Sequence, residues 1–357
     1  MQDNLTARPV VDEPSDTLVD STLLQDFLMQ AGITERLNRP GVTEIEINRP
    51  FEIWTATDLA PSGEREVVPS LDYDLCWRVA NSLAVYNKVV LSPESPIHTL
   101  KFPDVFLDGI RAQVVVPPAC EKGTISMTIR RPSLDRFSLA DYINSGRFSG
   151  TKAIASSRIE LAAWQLEIQA AHAAGDWGRF FTLAVEHKQN IIIFGGPGSG
   201  KTTLAKALVD LFPMDRRMIT IEAINELLLP LHANHVHLLY GPTVPPKALV
   251  ASTMRMKPDH LFLAELTGDE AWHYMEILNT GVPGTVTTAH ANDCVSGFAR
   301  VCGLVKQSDV GRGLDYSYIE RLVKTSFDIV VYMEKTHILE VHFEPEHKLM
   351  LLNGLAV

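Results

Sequence analysis

Near the middle of the chain, Gly195-Gly196-Pro197-Gly198-Ser199-Gly200-Lys201-Thr202 has the residue types and the spacing to bind phosphate. It fits the pattern G-x-x-x-x-G-K-[ST]. Glycines let the backbone turn so that successive N–H groups face inward, and a helix starting at the lysine adds its positive end. Lys201 supplies a compact charge for β- and γ-phosphates, and the Thr202 hydroxyl can ligate Mg²⁺. An apolar run, Ile191–Phe194, precedes the loop and a helix-forming run, Thr203–Leu211, follows it. This strand–loop–helix context predicts binding of a nucleoside triphosphate through Gly196, Pro197, Gly198, Ser199, Gly200, Lys201, Thr202 and Thr203.

Hydrolysis of such a substrate needs a carboxylate to order Mg²⁺ and a group to orient the attacking water. Two predicted strands end in one: Met218–Ile221 in Glu222, and Leu261–Ala264 in Glu265. The carboxyl ends of parallel strands face a shared ligand crevice, so both side chains can converge on the γ-phosphate. Each taken alone reads equally well as a helix-capping or surface carboxylate.

The elements that must position these groups change character along the chain. Residues 1–17 read as a flexible tail. Residues 18–132 read as an α+β domain. It has a helical pattern over Thr22–Met29, a hairpin of Thr43–Ile47 with Phe51–Thr55, and a helix over Leu71–Tyr86. A second strand pair follows, residues 104–116 with Thr124–Ile129. Residues 133–156 mix Ser, Gly and charge, as a linker does. Ser157-x-x-Glu160 then has the form of a capping box opening a helix through Leu161, Trp164, Ile168 and Ala171. From 157 to 357, short apolar runs (Ile191–Phe194, Met218–Glu222, Val236–Tyr240, His260–Ala264, Thr285–Thr288) alternate with helical stretches. That is the pattern of an α/β domain with a mainly parallel sheet.

Composition narrows the class. The 357 residues are 46% hydrophobic and 21% charged, with formal net charge −11. Such an acidic balance argues against a chain whose main task is coating nucleic acid, and no sequence-specific nucleic-acid binding is expected. The four cysteines, Cys76, Cys120, Cys294 and Cys302, never form C-x-x-C, which excludes zinc ribbons and thioredoxin-type centres. No signal-peptide pattern opens the chain and no apolar run approaches the ~18 residues of a membrane helix, so a soluble protein is expected.

Further motifs carry a resemblance. Met254–Asp259, followed by Leu261–Leu266 and Gly268-x-Glu270-Ala271, resembles the Walker B region of the secretion ATPase superfamily. These are the traffic ATPases of type II and type IV secretion and of type IV pili. Ile219–Glu222 with Glu226-Leu227 is similar to their acidic box. Thr280-Gly281-x-Pro283-Gly284-Thr285 with Thr287-Thr288-x-His290-Ala291 is similar to their histidine box. Asn234–Leu238, Gly109-x-Arg111, Pro117-Pro118, Gly123–Ser126 and Thr128–Arg130 resemble the type IV secretion branch in particular.

The resemblance implies a RecA-like P-loop domain behind a smaller α+β domain, ATP and Mg²⁺ as ligands, and a homo-hexamer. It also implies inner-membrane secretion components and a protein or nucleoprotein cargo as partners, with cytoplasmic location at the membrane's inner face. By the same resemblance Glu222 polarises water, Glu265 and Thr202 hold Mg²⁺, His290 senses the γ-phosphate, and Arg111, Arg130 and Arg255 neutralise developing charge. Without it, Arg111 and Arg130 read as strand-surface charges and His290 as a core histidine. Ala223, Thr267 and Val282 depart from the family pattern. Type II or pilus motors, a small-substrate kinase and a scaffold with little turnover are the alternatives.

Overall fold

The computed structural model describes residues 21–58, 60–103, 105–106, 109–132, 136–151 and 160–355. The tail expected over 1–17 lies outside them.

Elements of the first part are α1 (Thr22–Gln30), α2 (Ile33–Leu37), β1 (Val42–Ile47), β2 (Glu52–Thr57), β3 (Glu64–Val67), α3 (Tyr73–Tyr86), β4 (Ile97–Lys101), β5 (Arg111–Val115) and β6 (Ser126–Arg130). The strands form one antiparallel sheet in the order β3-β2-β1-β6-β5-β4. Leu24 and Leu28 of α1 and Leu75, Val79 and Leu83 of α3 pack on the sheet's apolar face. Asp72 caps α3 by accepting the Leu75 amide at 2.8 Å.

The strand expected over 104–116 is not continuous. β4 ends at Lys101, Phe102 N–H donates to Ile110 O at 3.0 Å, and β5 starts only at Arg111. The intervening loop contains Pro103, which has no N–H to give a ladder. The linker segment carries a short exposed helix, α4 (Leu139–Asn144), held by a reciprocal cap between Ser138 and Asp141.

Later elements are α5 (Ala163–Ala174), α6 (Trp177–Glu186), β7 (Ile191–Gly195), α7 (Lys201–Val209), β8 (Met218–Glu222), β9 (His235–Leu239), α8 (Pro246–Thr253), β10 (His260–Leu263), α9 (Glu270–Leu278), β11 (Val286–Ala289), α10 (Cys294–Gln307), α11 (Tyr316–Ser326), β12 (Ile329–Glu334), β13 (His337–His342) and α12 (Pro345–Leu352). Ser157 lies outside the described residues, and α5 begins after Ala162, whose N–H donates to Gln165 at 2.9 Å. Gln165 supplies the cap seen there.

β10-β8-β9 and β11-β7-β12 are parallel, and β13 pairs antiparallel with β12 as an exposed edge strand with irregular register. The two sheets meet where β10 lies beside β11. There the hydroxyls of Thr285, Thr287 and Thr288 donate to Leu261 O, Leu263 O and Ala264 O at 2.5, 2.6 and 2.7 Å. Burial on both faces explains the continuous apolar runs of β7 and β8. No helix among the described residues is long and apolar enough to cross a membrane.

The alternation of β1 suggests one wet face, yet Glu44 and Glu46 are buried as well. Their face is covered by the second part of the chain. Arg217, just before β8, donates to Glu46, Asn48 and Asn234 at 2.8, 2.8 and 2.7 Å, and to Met256 O at 2.9 Å. Lys257 reaches Glu44 at 2.6 Å. Burial raises the Glu46 pKa, and the facing guanidinium opposes that rise.

Replacing Arg217 by Met leaves Glu46 buried without its counter-charge. The expected loss is about 3–5 kcal/mol of stability in urea denaturation, partly restored by adding Glu46→Gln. Burial also lowers the pKa of His235 to about 4, His237 to about 3 and His260 to about 4. The native state holds these rings neutral, while the unfolded chain protonates them near the ordinary value of about 6.5. Their stabilising contribution is complete above that value and declines as pH falls toward 4. Melting temperatures measured from pH 7.5 to 4.5 should show the decline.

Candidate functional site

β7 delivers the chain to the loop in a fully buried strand, and the loop's glycines meet different demands. A Cβ on Gly195 would lie 2.4 Å from Met333 O and 2.5 Å from Ser199 Oγ. Gly198 (φ +72°) and Gly200 (φ +91°) adopt left-handed backbone, which a side chain strains. Gly200 is the N-cap of α7, where no side chain caps the first turn. Its amides are therefore available to an anion. Thr202 and Thr203 follow in that turn, half-buried and exposed.

Lys201 is buried, and its Nζ donates to Gly195 O at 2.9 Å and Gly196 O at 3.0 Å. Burial lowers its pKa, and the charge of Glu265 opposes that shift. His290 links the two: its Nδ1 donates to Gly195 O at 3.0 Å and lies 3.4 Å from Lys201 Nζ, while its Nε2 is 2.8 Å from Glu265 Oε1. The structure thus brings Lys201, His290 and Glu265 into one line. A cavity of about 410 Å³ opens beside the loop between Gly196, Pro197, His290 and Arg300.

Glu222 ends β8 as expected but faces its own following loop. Its carboxylate accepts the amides of Glu226 at 2.6 Å and Leu227 at 3.0 Å. Burial raises its pKa, and those amides pull it back.

Arg111, Arg130 and Arg255 are brought together, although away from the loop. With Lys257, Glu44 and Gln113 they line a cavity of about 260 Å³. Arg111 pairs with Arg130 in register, and Lys257 precedes β10. This cavity therefore sits at the starting edge of the parallel strands, whereas the phosphate loop follows the finishing edge of β7. Within one chain the three arginines do not approach Lys201.

Sequence reasoning gave three groups no role of their own. Arg300 lies four residues, one helical turn, beyond Ser296 on α10, and both line that cavity; their i,i+4 spacing was the available signal. Glu270 is buried and accepts the amides of Thr267 at 2.7 Å and Gly268 at 2.9 Å. Tyr240 sits close enough to Glu265, Glu270 and Glu222 for all three to raise its pKa, after burial, the main cause. Two departures from the expected pattern also gain a setting: Thr267 holds Glu270 and Val282 joins the core.

Fold and site together define an α/β protein organised around a phosphate-binding loop. The sequence profile of the Type II/IV secretion system protein family matches residues 151–338. The VirB11 type IV secretion system protein of Brucella suis biovar 1 is 38% identical over 327 residues, covering 87% of this chain and 88% of that protein. Its Bartonella henselae counterpart is 34% identical over 357 residues, covering 95% and 98%. A crystal structure of the VirB11 ATPase from the Brucella suis type IV secretion system, in complex with sulphate, matches with TM-score 0.86 and 37% identity over 93% of this chain and 97% of that one. The chain belongs to the Type II/IV secretion system family, among its type IV secretion traffic ATPases.

Gly195→Ala puts a methyl group against a backbone carbonyl, so the loop must shift. Affinity for a fluorescent ATP analogue should fall at least about tenfold, the cost of roughly 1.4 kcal/mol of strain, with the far-ultraviolet circular dichroism unchanged.

Proposed function

We propose that this chain is a RecA-like motor ATPase that hydrolyses ATP with Mg²⁺ and powers substrate translocation, pilus assembly or both in a type IV secretion machine. The observation that carries the reading is the line from Lys201 through His290 to Glu265 across the mouth of the phosphate loop.

The residues suit these ligands. Ser199 Oγ is buried without a hydrogen-bond partner, the α7 amides are uncapped, and Lys201 spends its protons on its own loop's carbonyls. Those groups turn to the triphosphate. Thr202 and Glu265 would hold Mg²⁺, which would supply charge neutralisation. No group of three or more His, Cys, Asp and Glu able to hold a metal occurs among the described residues. That fits an ion held largely by substrate phosphates and water. His290 exchanges Glu265 for the γ-phosphate. Glu222, its pKa raised by burial, suits the base that polarises water once it gives up the amides of Glu226 and Leu227.

Arg111, Arg130 and Arg255 lie at the opposite strand edge, so they serve a nucleotide held by a neighbouring copy. This makes a homo-hexameric ring, the assembly implied by resemblance, a working part of the site. In it residues 18–132 form the smaller domain, 133–156 the linker and 157–357 the ATPase domain. The ring works at the cytoplasmic face of the inner membrane through secretion components there, on protein or nucleoprotein cargo. A nucleotide-binding scaffold with little turnover is the second reading, favoured by the engagement of Glu222 with its own loop.

Mg²⁺-dependent phosphate release should be present in the parent protein and fall at least about 10³-fold in Lys201→Ala, the scale on which charge-stabilising groups act. Glu265→Gln should bind ATP and fail to turn it over, and native mass should give six copies. Mixing inactive Lys201→Ala with inactive Arg255→Ala should restore part of the activity. A fully inactive mixture would place the arginine's action outside the neighbour's site, and a parent that binds without turnover would favour the scaffold.

A further inference from the structure

The seam between the two sheets runs through the candidate site. β10, which leads to Glu265, belongs to one hydrogen-bonded sheet, and β7 and β11, which lead to the phosphate loop and His290, belong to the other. The contact between Glu265 and His290 therefore crosses a junction that no regular backbone ladder fixes.

Thr288 bridges that junction around Glu265 itself. Its hydroxyl donates to Ala264 O at 2.7 Å, and its carbonyl accepts the Leu266 amide at 2.8 Å. The residue before Glu265 and the residue after it are thus both tied to one threonine, which stands two positions before His290. On the other side, the Ala264 amide donates to Ile221 O at 3.0 Å, next to Glu222. Thr287 repeats the hydroxyl bond one step lower, to Leu263 O at 2.6 Å. Thr285 does so at Leu261, four residues from Glu265. All three threonines are buried, so water cannot replace a lost hydroxyl.

We infer that Thr288, supported by Thr287, is a positioning residue for hydrolysis: it sets the height of Glu265 against His290 and Lys201 across the seam. The inference rests on the proposed ATPase function. Threonine is needed because its hydroxyl reaches a carbonyl that a strand amide does not meet here. Valine has the same shape without that reach. A displacement of about 1 Å at a catalytic group can cost on the order of a hundredfold in rate.

The test compares Thr288→Val, Thr288→Ser and Thr285→Val in the full-length protein. Thr288→Val should lose about tenfold to a hundredfold in kcat, with KM and ADP affinity within about threefold of the parent. Thr288→Ser, which keeps the hydroxyl, should recover most of the loss. Thr285→Val should lower the melting temperature and keep kcat. Independently of turnover, amide exchange over 264–266 in nucleotide-free protein should speed up about tenfold in Thr288→Val and return in Thr288→Ser. Parental kcat or unchanged exchange in Thr288→Val overturns the inference. So does equal loss of kcat in Thr285→Val, which would mark the seam as general structure. A parent without turnover overturns the inference together with the function it rests on.

Discussion

A buried ammonium group governs the arrangement of this molecule. An isolated charge withdrawn from water is costly, and Lys201 is withdrawn at the first position of α7. Its protons go to the carbonyls of Gly195, the last residue of β7, and of Gly196 just beyond it. The charge of Glu265 stands behind His290 as a partial counterweight. Strand, glycine turn, helix start and histidine box are all conditions for keeping that one positive charge folded in and available.

The second constraint joins the two parts of the chain. β1 carries apolar side chains on one face and glutamates on the other, an arrangement that by itself expects water. Here the acidic face is pressed against the starting edge of the parallel strands, and Arg217 and Lys257 supply the matching charge. Such a contact is a weak source of net stability, since desolvation offsets much of the attraction. It is selective, because a shifted docking would strand Glu46 without its partner. The cavity lined by Arg111, Arg130 and Arg255 exists only because this docking fixes the arginine-bearing strand ends beside residues 254–257.

Much of this was legible before the structure. The phosphate loop, the carboxylate ending β8, the one two residues past β10, and the helix α3 follow from local patterns of period and punctuation, and they stand at or within two residues of where those patterns put them. Other features depended on what packs against what. The reading of 104–116 as one strand failed because apolar content does not reveal a hairpin closed at Phe102 and Ile110. Ser157-x-x-Glu160 has the form of a cap, yet α5 begins only at Ala163. Tyr240 and Arg300 carried little signal because what surrounds them comes from neighbours far away in sequence. The arginines were found by resemblance, and their separation from the chain's own loop is a property of tertiary docking that no motif encodes.

The irregular edge strand β13 has a consequence for solubility. The opposite margin of the parallel sheets, β9, is closed by the first part of the chain, where Leu239 N–H donates to Ala119 O at 2.9 Å. β13 is left as the open margin, exposed over most of its length, and open strands invite indiscriminate stacking of one molecule on another. Two details blunt that tendency. The register slips opposite Tyr332 and Met333, which bends the strand, and the His172 ring nitrogen occupies the outward carbonyl of Val341 at 2.8 Å. The margin left open thus carries its own resistance to amyloid-like growth.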